Sequence, residues 1–144
     1  MATVEKSVLV HFSAQQIFDL VQKVEDYPKF LPWCSAASAE WITENTEKAT
    51  VEISFKGVKQ AFTTLNELEE GRAIHMRLSD GPFKRLQGEW RFIELKEDAC
   101  KVTFSIDYEF SSRVLEQLIG PVFTSITNNL VDSFIKRAEY NAQH

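Results

Sequence analysis

Val102-Thr103-Phe104-Ser105-Ile106-Asp107-Tyr108-Glu109-Phe110 runs through Ser111-Ser112 into Arg113-Val114-Leu115-Glu116-Gln117-Leu118-Ile119-Gly120-Pro121-Val122-Phe123. The apolar period changes inside this stretch, and that change decides the fold. Up to Phe110 the apolar residues alternate with polar ones, the period of a strand with one wet face. Beyond Arg113 they recur at spacings of three and four: Leu115, Leu118, Ile119, Val122, Phe123, Ile126, Leu130, Phe134 and Ile135. That predicts a helix from about Arg113 to Tyr140, roughly 40 Å long, with a broad apolar stripe. Ser111 or Ser112 suits its N-cap. Pro121 removes one backbone bond, so a kink is expected at Gly120-Pro121, and the stripe continues in register beyond it.

So long an apolar face has to be covered, and the residues upstream supply a sheet. Ala49, Val51, Ile53 and Phe55 alternate with Thr50, Glu52, Ser54 and Lys56, and Gly57 permits a tight return into Val58 to Leu65. Ile74, Met76 and Leu78 alternate with Ala73, His75 and Arg77, and Gly88, Trp90 and Phe92 follow the same rule. Thr3 to Val10 reads as a first strand. Ser13-Ala14-Gln15-Gln16 is a capping-box pattern ahead of a short helix marked by Ile17, Phe18 and Val21. Pro28 and Pro32 confine Glu25 to Leu31 to one or two turns. The order is strand, two short helices, six strands, long helix. It predicts an α+β fold in which a curved seven-stranded antiparallel sheet grips the C-terminal helix. Residues 1–144 then form a single domain, since no linker or repeat divides the chain.

Composition narrows the function. With 16 basic and 21 acidic residues the net charge is −5, which disfavours DNA and any sequence-blind binding to nucleic acid. Cys34 and Cys100 are far apart and form no metal-ligand pattern, so no cofactor or metal is required and both are expected to pack as small hydrophobes. Nothing before Ser13 resembles a signal segment and no apolar run reaches a membrane span, so the expectation is a soluble protein of a reducing compartment with at most peripheral membrane contact.

Val24-Glu25-Asp26-Tyr27-Pro28-Lys29-Phe30-Leu31-Pro32-Trp33-Cys34 resembles the signature of the START-like coenzyme Q-binding and ribosome-association toxin family, within the polyketide cyclase-like superfamily. Asp80-Gly81-Pro82-Phe83-Lys84-Arg85-Leu86-Gln87-Gly88-Glu89-Trp90-Arg91-Phe92 resembles its second signature, and Gly120-Pro121-Val122-Phe123 also matches. The resemblance runs from Val4 to about Ala138 and implies a helix-grip (START/Bet v 1-like) fold. It also implies one of two functions. One is binding of ubiquinone in a hydrophobic cavity in support of respiration. The other is toxicity through the large ribosomal subunit, with subunit joining blocked. The chain's start is neither Arg-rich nor acid-poor, unlike a mitochondrial leader, which favours a bacterial, cytoplasmic member.

An enzyme needs titratable groups converging in a cleft. His11 lies at a strand end, His144 is terminal, and alternation turns His75, Asp107 and Glu109 outward. No G-x-S-x-G elbow, H-E-x-x-H or phosphate loop is present, so an enzyme is not expected. The aromatic inventory supports ligand binding instead. Phe55, Phe62, Trp90, Phe104, Tyr108, Phe110 and Phe123 are assigned to inward faces, and Trp33, Met76, Phe83, Val122 and Ile126 complete the expected lining of a cavity between sheet and helix. Tyr108 needs an interior partner for its hydroxyl. Phe83 is expected at the tip of the Asp80-Gly81-Pro82 loop, where it is either a plain loop residue or a latch over the cavity mouth. Lys84 with Arg85, and Lys136 with Arg137, are the candidate ribosome contacts; the second pair also suits a helix C-terminal dipole. The expected function is therefore non-enzymatic binding of a hydrophobic molecule, ubiquinone or a related lipid, with the ribosome as the alternative partner.

Overall fold

The computed structural model describes residues 2–144. β1 (Ala2–Val10) leads into α1 (Ala14–Gln22) and a 3₁₀ helix (Val24–Lys29). β2 (Cys34–Thr43), β3 (Thr46–Phe55), β4 (Val58–Glu69), β5 (Ala73–Asp80), β6 (Phe83–Lys96) and β7 (Ala99–Phe110) follow, and α2 (Arg113–Gln143) closes the chain. The seven strands form one antiparallel sheet in the order β1-β7-β6-β5-β4-β3-β2. This is the α+β helix-grip architecture expected from the sequence.

Local chemistry explains the ends of the elements. The Ser13 hydroxyl accepts from the Gln16 amide at 3.1 Å and the Gln16 side chain accepts from the Ser13 amide at 2.8 Å, the reciprocal capping box. Ser112 caps α2 by accepting from the Leu115 amide. α2 runs uninterrupted through Gly120-Pro121. Register shifts in β2/β3, β4/β5 and β6/β7 add the local bends that a sheet needs to curl around a helix.

Two elements differ from expectation. β2 is an edge strand of small residues from Ser35 to Ala39, of which only Ala37 and Ala39 turn partly inward against the core. β6 begins at Phe83 rather than near Gly88, and Phe83 is buried, so it is not a loop tip. The turn before it is held down. Pro82 is buried, its carbonyl accepts from the Ser111 amide at 3.0 Å, and a Cβ on Gly81 (φ 151°) would lie 2.7 Å from Phe62 Cβ. Only glycine fits that approach.

The core lies between the concave face of the sheet and α2. α1 plugs one end through Ile17, Phe18 and Val21, with Phe18 edge-on to Phe92 at 5.7 Å. The 3₁₀ segment packs on the far part of α2, where Phe134 meets Tyr27 at 5.3 Å, Phe30 at 5.5 Å and Trp90 at 5.5 Å.

Candidate functional site

The inner face of the sheet carries two aromatic groups with a gap between them. At one end Phe83 stacks on Phe110 at 4.9 Å, and Phe123 of α2 meets Phe62, Phe83 and Tyr108. At the other end Trp90 meets Phe104 at 4.6 Å and Phe134 at 5.5 Å. One continuous row crosses the sheet between them: Glu47, Asn66, Met76, Gly88 and Ile106 are successive cross-strand partners. Gly88 has no side chain, and the methyl of Met76, unbranched and adaptable, takes up that place, 2.8 Å from where a Cβ would lie. A cavity of about 90 Å³ remains beside Met76 and Ile106.

Seven of the twelve expected lining residues border this cavity: Trp33, Phe62, Met76, Trp90, Phe104, Phe123 and Ile126. The other five do not. Phe83 and Phe110 are spent on stacking with each other, and Val122 is buried in the core away from the cavity. Phe55 sits half-buried at the end of β3 beneath Lys56. Tyr108 does find a partner, Thr124 Oγ1 at 3.0 Å, but that pair borders an open cleft beside the first turns of α2.

Sequence reasoning missed the polar part of the wall. Thr64, Asn66 and Thr127 are buried and border the cavity, as does Tyr27. Strand parity places Thr64 and Asn66 inward with Phe62, which was the available signal. Thr64 Oγ1 donates to Asn66 Oδ1 at 2.8 Å, and the Asn66 amide in turn bonds the Glu47 carboxyl. Glu47 is 2 % exposed. Burial pushes its carboxyl up to about 7, the Asn66 hydrogen bond opposes the shift, and the Glu25 charge adds to it. The cavity wall carries Asn66 but not Glu47.

The titratable groups elsewhere are spread over other surfaces. His75 bridges Glu69 at 2.6 Å and Glu89 at 3.1 Å on the outer face, and His11 and His144 are exposed. Burial pushes the Cys34 thiol up to about 11 and raises that of Cys100, so neither is a ready thiolate. Among the described residues no three of His, Cys, Asp and Glu cluster to hold a metal, and no helix is long and apolar enough to cross a membrane. Lys84 and Arg85 both pair with Glu109, at 3.9 Å and 3.2 Å. Arg137 lies over the Phe30 ring at 5.2 Å and the Tyr140 ring at 4.8 Å.

Gly88 offers a direct test of the gap. A Cβ there would fall 2.8 Å from Met76 Cε and 3.1 Å from the Ser105 carbonyl oxygen. Met76 can swing, into the cavity, but the Ser105 carbonyl belongs to β7 and resists moving. Gly88→Ala is expected to fill the cavity and to lower stability by about 1–3 kcal/mol, read from the urea midpoint.

The profile of the family described as polyketide cyclase / dehydrase and lipid transport matches residues 10–135. The ribosome association toxin RatA of Vibrio cholerae is 45% identical over 139 residues, 96% of this chain and 96% of that protein. A coenzyme Q-binding protein COQ10 homolog B, mitochondrial, of Xenopus laevis is 26% identical over 92% of this chain and 56% of that protein. Among solved structures, the Zhui aromatase/cyclase of Streptomyces sp. R1128 superposes with a TM-score of 0.84 at 16% identity, over 98% of this chain and 95% of that one. That last likeness is one of fold. The residues in the three signature stretches converge on the cavity: Val24, Tyr27 and Trp33 from the first, Leu86 and Trp90 from the second, and Phe123 from the third.

Proposed function

We propose that this chain, which belongs to the polyketide cyclase / dehydrase and lipid transport family, acts by binding rather than by chemistry, and that its partner in the cytoplasm is the ribosome. The observation that carries this reading is the 45% identity, over nearly the full length of both chains, to a protein named as a ribosome association toxin. By the family resemblance, the surface engaged is the large subunit and the outcome is a block of subunit joining. The coenzyme Q-binding relative is more distant. This ordering reverses the expectation from the sequence alone.

The non-enzymatic reading draws support from the placement of the titratable groups. His75, Asp107 and Glu109 lie on the outer face, and the cavity wall is apolar apart from Tyr27, Thr64, Asn66, Thr127 and the two indoles. A general base and a substrate would have no common site.

A second reading concerns the interior, and the apolar cavity favours it. A hydrophobic molecule binds between sheet and α2, with ubiquinone or a related lipid as the family-implied ligand. At about 90 Å³ the space is smaller than the roughly 150 Å³ that takes a benzene ring and well below the roughly 300 Å³ and more of a drug-sized site. Even a single ring enters only when wall side chains move. A prenylated quinone therefore requires Met76, Phe62 and Trp33, all half-buried on the wall, to swing aside.

The two readings separate experimentally. Co-sedimentation with ribosomal subunits is expected at low salt. If Lys84, Arg85, Lys136 and Arg137 each meet a phosphate, the logarithm of affinity falls against that of salt with a slope of about −3. Replacing Lys84 and Arg85 with Ala lowers that slope, whereas Gly88→Ala leaves sedimentation unchanged and abolishes ligand uptake. No sedimentation at low salt removes the ribosome reading. Organic extraction and mass spectrometry of the purified protein, without a quinone or lipid and with no binding in titration, removes the interior one.

A further inference from the structure

Resting on the interior reading, we infer that the cavity is built for a ring bearing a hydrogen-bond donor, a phenol or quinol, in preference to a ring bearing acceptors only, such as a quinone or aryl ether. Three hydroxyls stand on the wall, those of Tyr27, Thr64 and Thr127. Each has a single hydrogen to give, and each gives it to the protein. Tyr27 donates to the Val21 carbonyl. Thr64 donates to Asn66 Oδ1 at 2.8 Å. Thr127 shares its one hydrogen between the Phe123 and Thr124 carbonyls of its own helix, each 3.1 Å away.

The Asn66 amide is oriented from behind. Glu47 is its cross-strand partner, and with its oxygen given to Thr64 the amide has only its N–H to offer that buried carboxyl. Glu47 is thus a positioning residue: when its carboxyl is ionised it can only accept, and it then keeps the amide, and through it the Thr64 hydrogen, turned one way. With those hydrogens spent, all three hydroxyls can meet a ligand only as acceptors.

Among the lining residues the donors that remain are an Asn66 amide hydrogen and the indole N–H groups of Trp33 and Trp90. A ligand hydroxyl satisfies both kinds of group, donating to a threonine or tyrosine oxygen while its own oxygen accepts from an N–H. A quinone or ether oxygen satisfies only the second and sets lone pair against lone pair at the first. Buried polar groups left without partners weaken binding steeply.

The test uses p-cresol and anisole, isomers of nearly equal bulk of which only the first carries a donor. Both are titrated calorimetrically into the folded protein, and amide resonances of Thr64 and Thr127 report whether each occupies the cavity. The expected result is p-cresol binding about tenfold tighter than anisole. Thr64→Val with Thr127→Val should bring the ratio towards one, and each replacement made singly should lower it, so a double variant that fails to fold does not void the comparison. Glu47→Gln, which lets the amide turn over, should lower the ratio through weaker p-cresol binding while anisole affinity holds. Equal affinities in the unaltered protein, with cavity resonances shifting, overturn the donor preference and leave the interior reading standing. Failure of both compounds to bind overturns the interior reading and this inference together.

Discussion

Glu47→Gln raises the melting temperature at pH 8 and changes it far less at pH 5. The folded chain holds the Glu47 carboxyl at about 7, above the 4.5 of a free side chain. As pH climbs past 4.5 the unfolded chain releases this proton first and gains stability that the folded chain does not share. The penalty grows until the folded value is passed and is constant thereafter. The gap corresponds to about 3 kcal/mol, of which under about 1 kcal/mol is present at pH 5. Glutamine keeps the shape and can still bond Asn66, so the variant escapes the penalty where it is largest. At roughly 3 °C per kcal/mol for a chain of this size, the shift at pH 8 is about 5–10 °C. Thermal unfolding of both proteins across pH 5 to 8 reads it. Parallel curves over that range would mean that the buried carboxyl does not titrate there.

Phe134→Ala has the larger effect on stability and the opposite sign. The ring is 1 % exposed and makes edge contacts with Tyr27, Phe30 and Trp90, so it joins α2 to the 3₁₀ segment and the sheet at once. Truncation removes the transfer energy of the ring and leaves a hole that three rigid aromatic neighbours cannot collapse into, a cost of about 3–5 kcal/mol. Phe62, half-buried on the cavity wall, already faces empty space. Phe62→Ala is expected to cost less than half as much. Chemical denaturation of the two variants checks the contrast, and equal losses would show that the cavity end is packed as tightly as the Phe134 end.

The architecture was legible because both of its parts announce themselves by period. Trp90, Phe104 and Phe123 fall where alternation and helical spacing put them, and each reaches the cavity. The errors have physical origins. Alternation tells which face a residue shares but not how far along the strand the gap lies, so Phe110 and Tyr108 share a face with Phe104 and yet sit beyond the cavity's end. Phe83 was misplaced because a Gly-Pro pair reads as an exposed turn, whereas here the turn is tied down by Ser111 and packs on Phe62. β2 escaped residue-level assignment since an edge strand needs no apolar face. The polar wall was missed for the converse reason: Glu47 and Asn66 occupy inward positions of strands whose other inward residues are mostly apolar, and a charge in such a place reads as a solvated one until its cross-strand partner is known.

The pairing of β1 with β7 has a bearing on how the chain reaches this state. Thr3 lies opposite Asp107, 104 residues later, so the first strand made is among the last to be docked. Closing so long a loop yields no contact energy until it is complete, which places this domain among slower folders. At about 5–20 residues per second, synthesis alone keeps the two strands apart for roughly 5–20 s. During that interval the β2 to β6 meander can assemble by short hairpins, while β1 waits as an unpaired ribbon that can add to another chain's free β7 edge. Exchange of β1 between two copies is therefore the misassembly to expect under rapid expression, and slowing synthesis is the means of suppressing it.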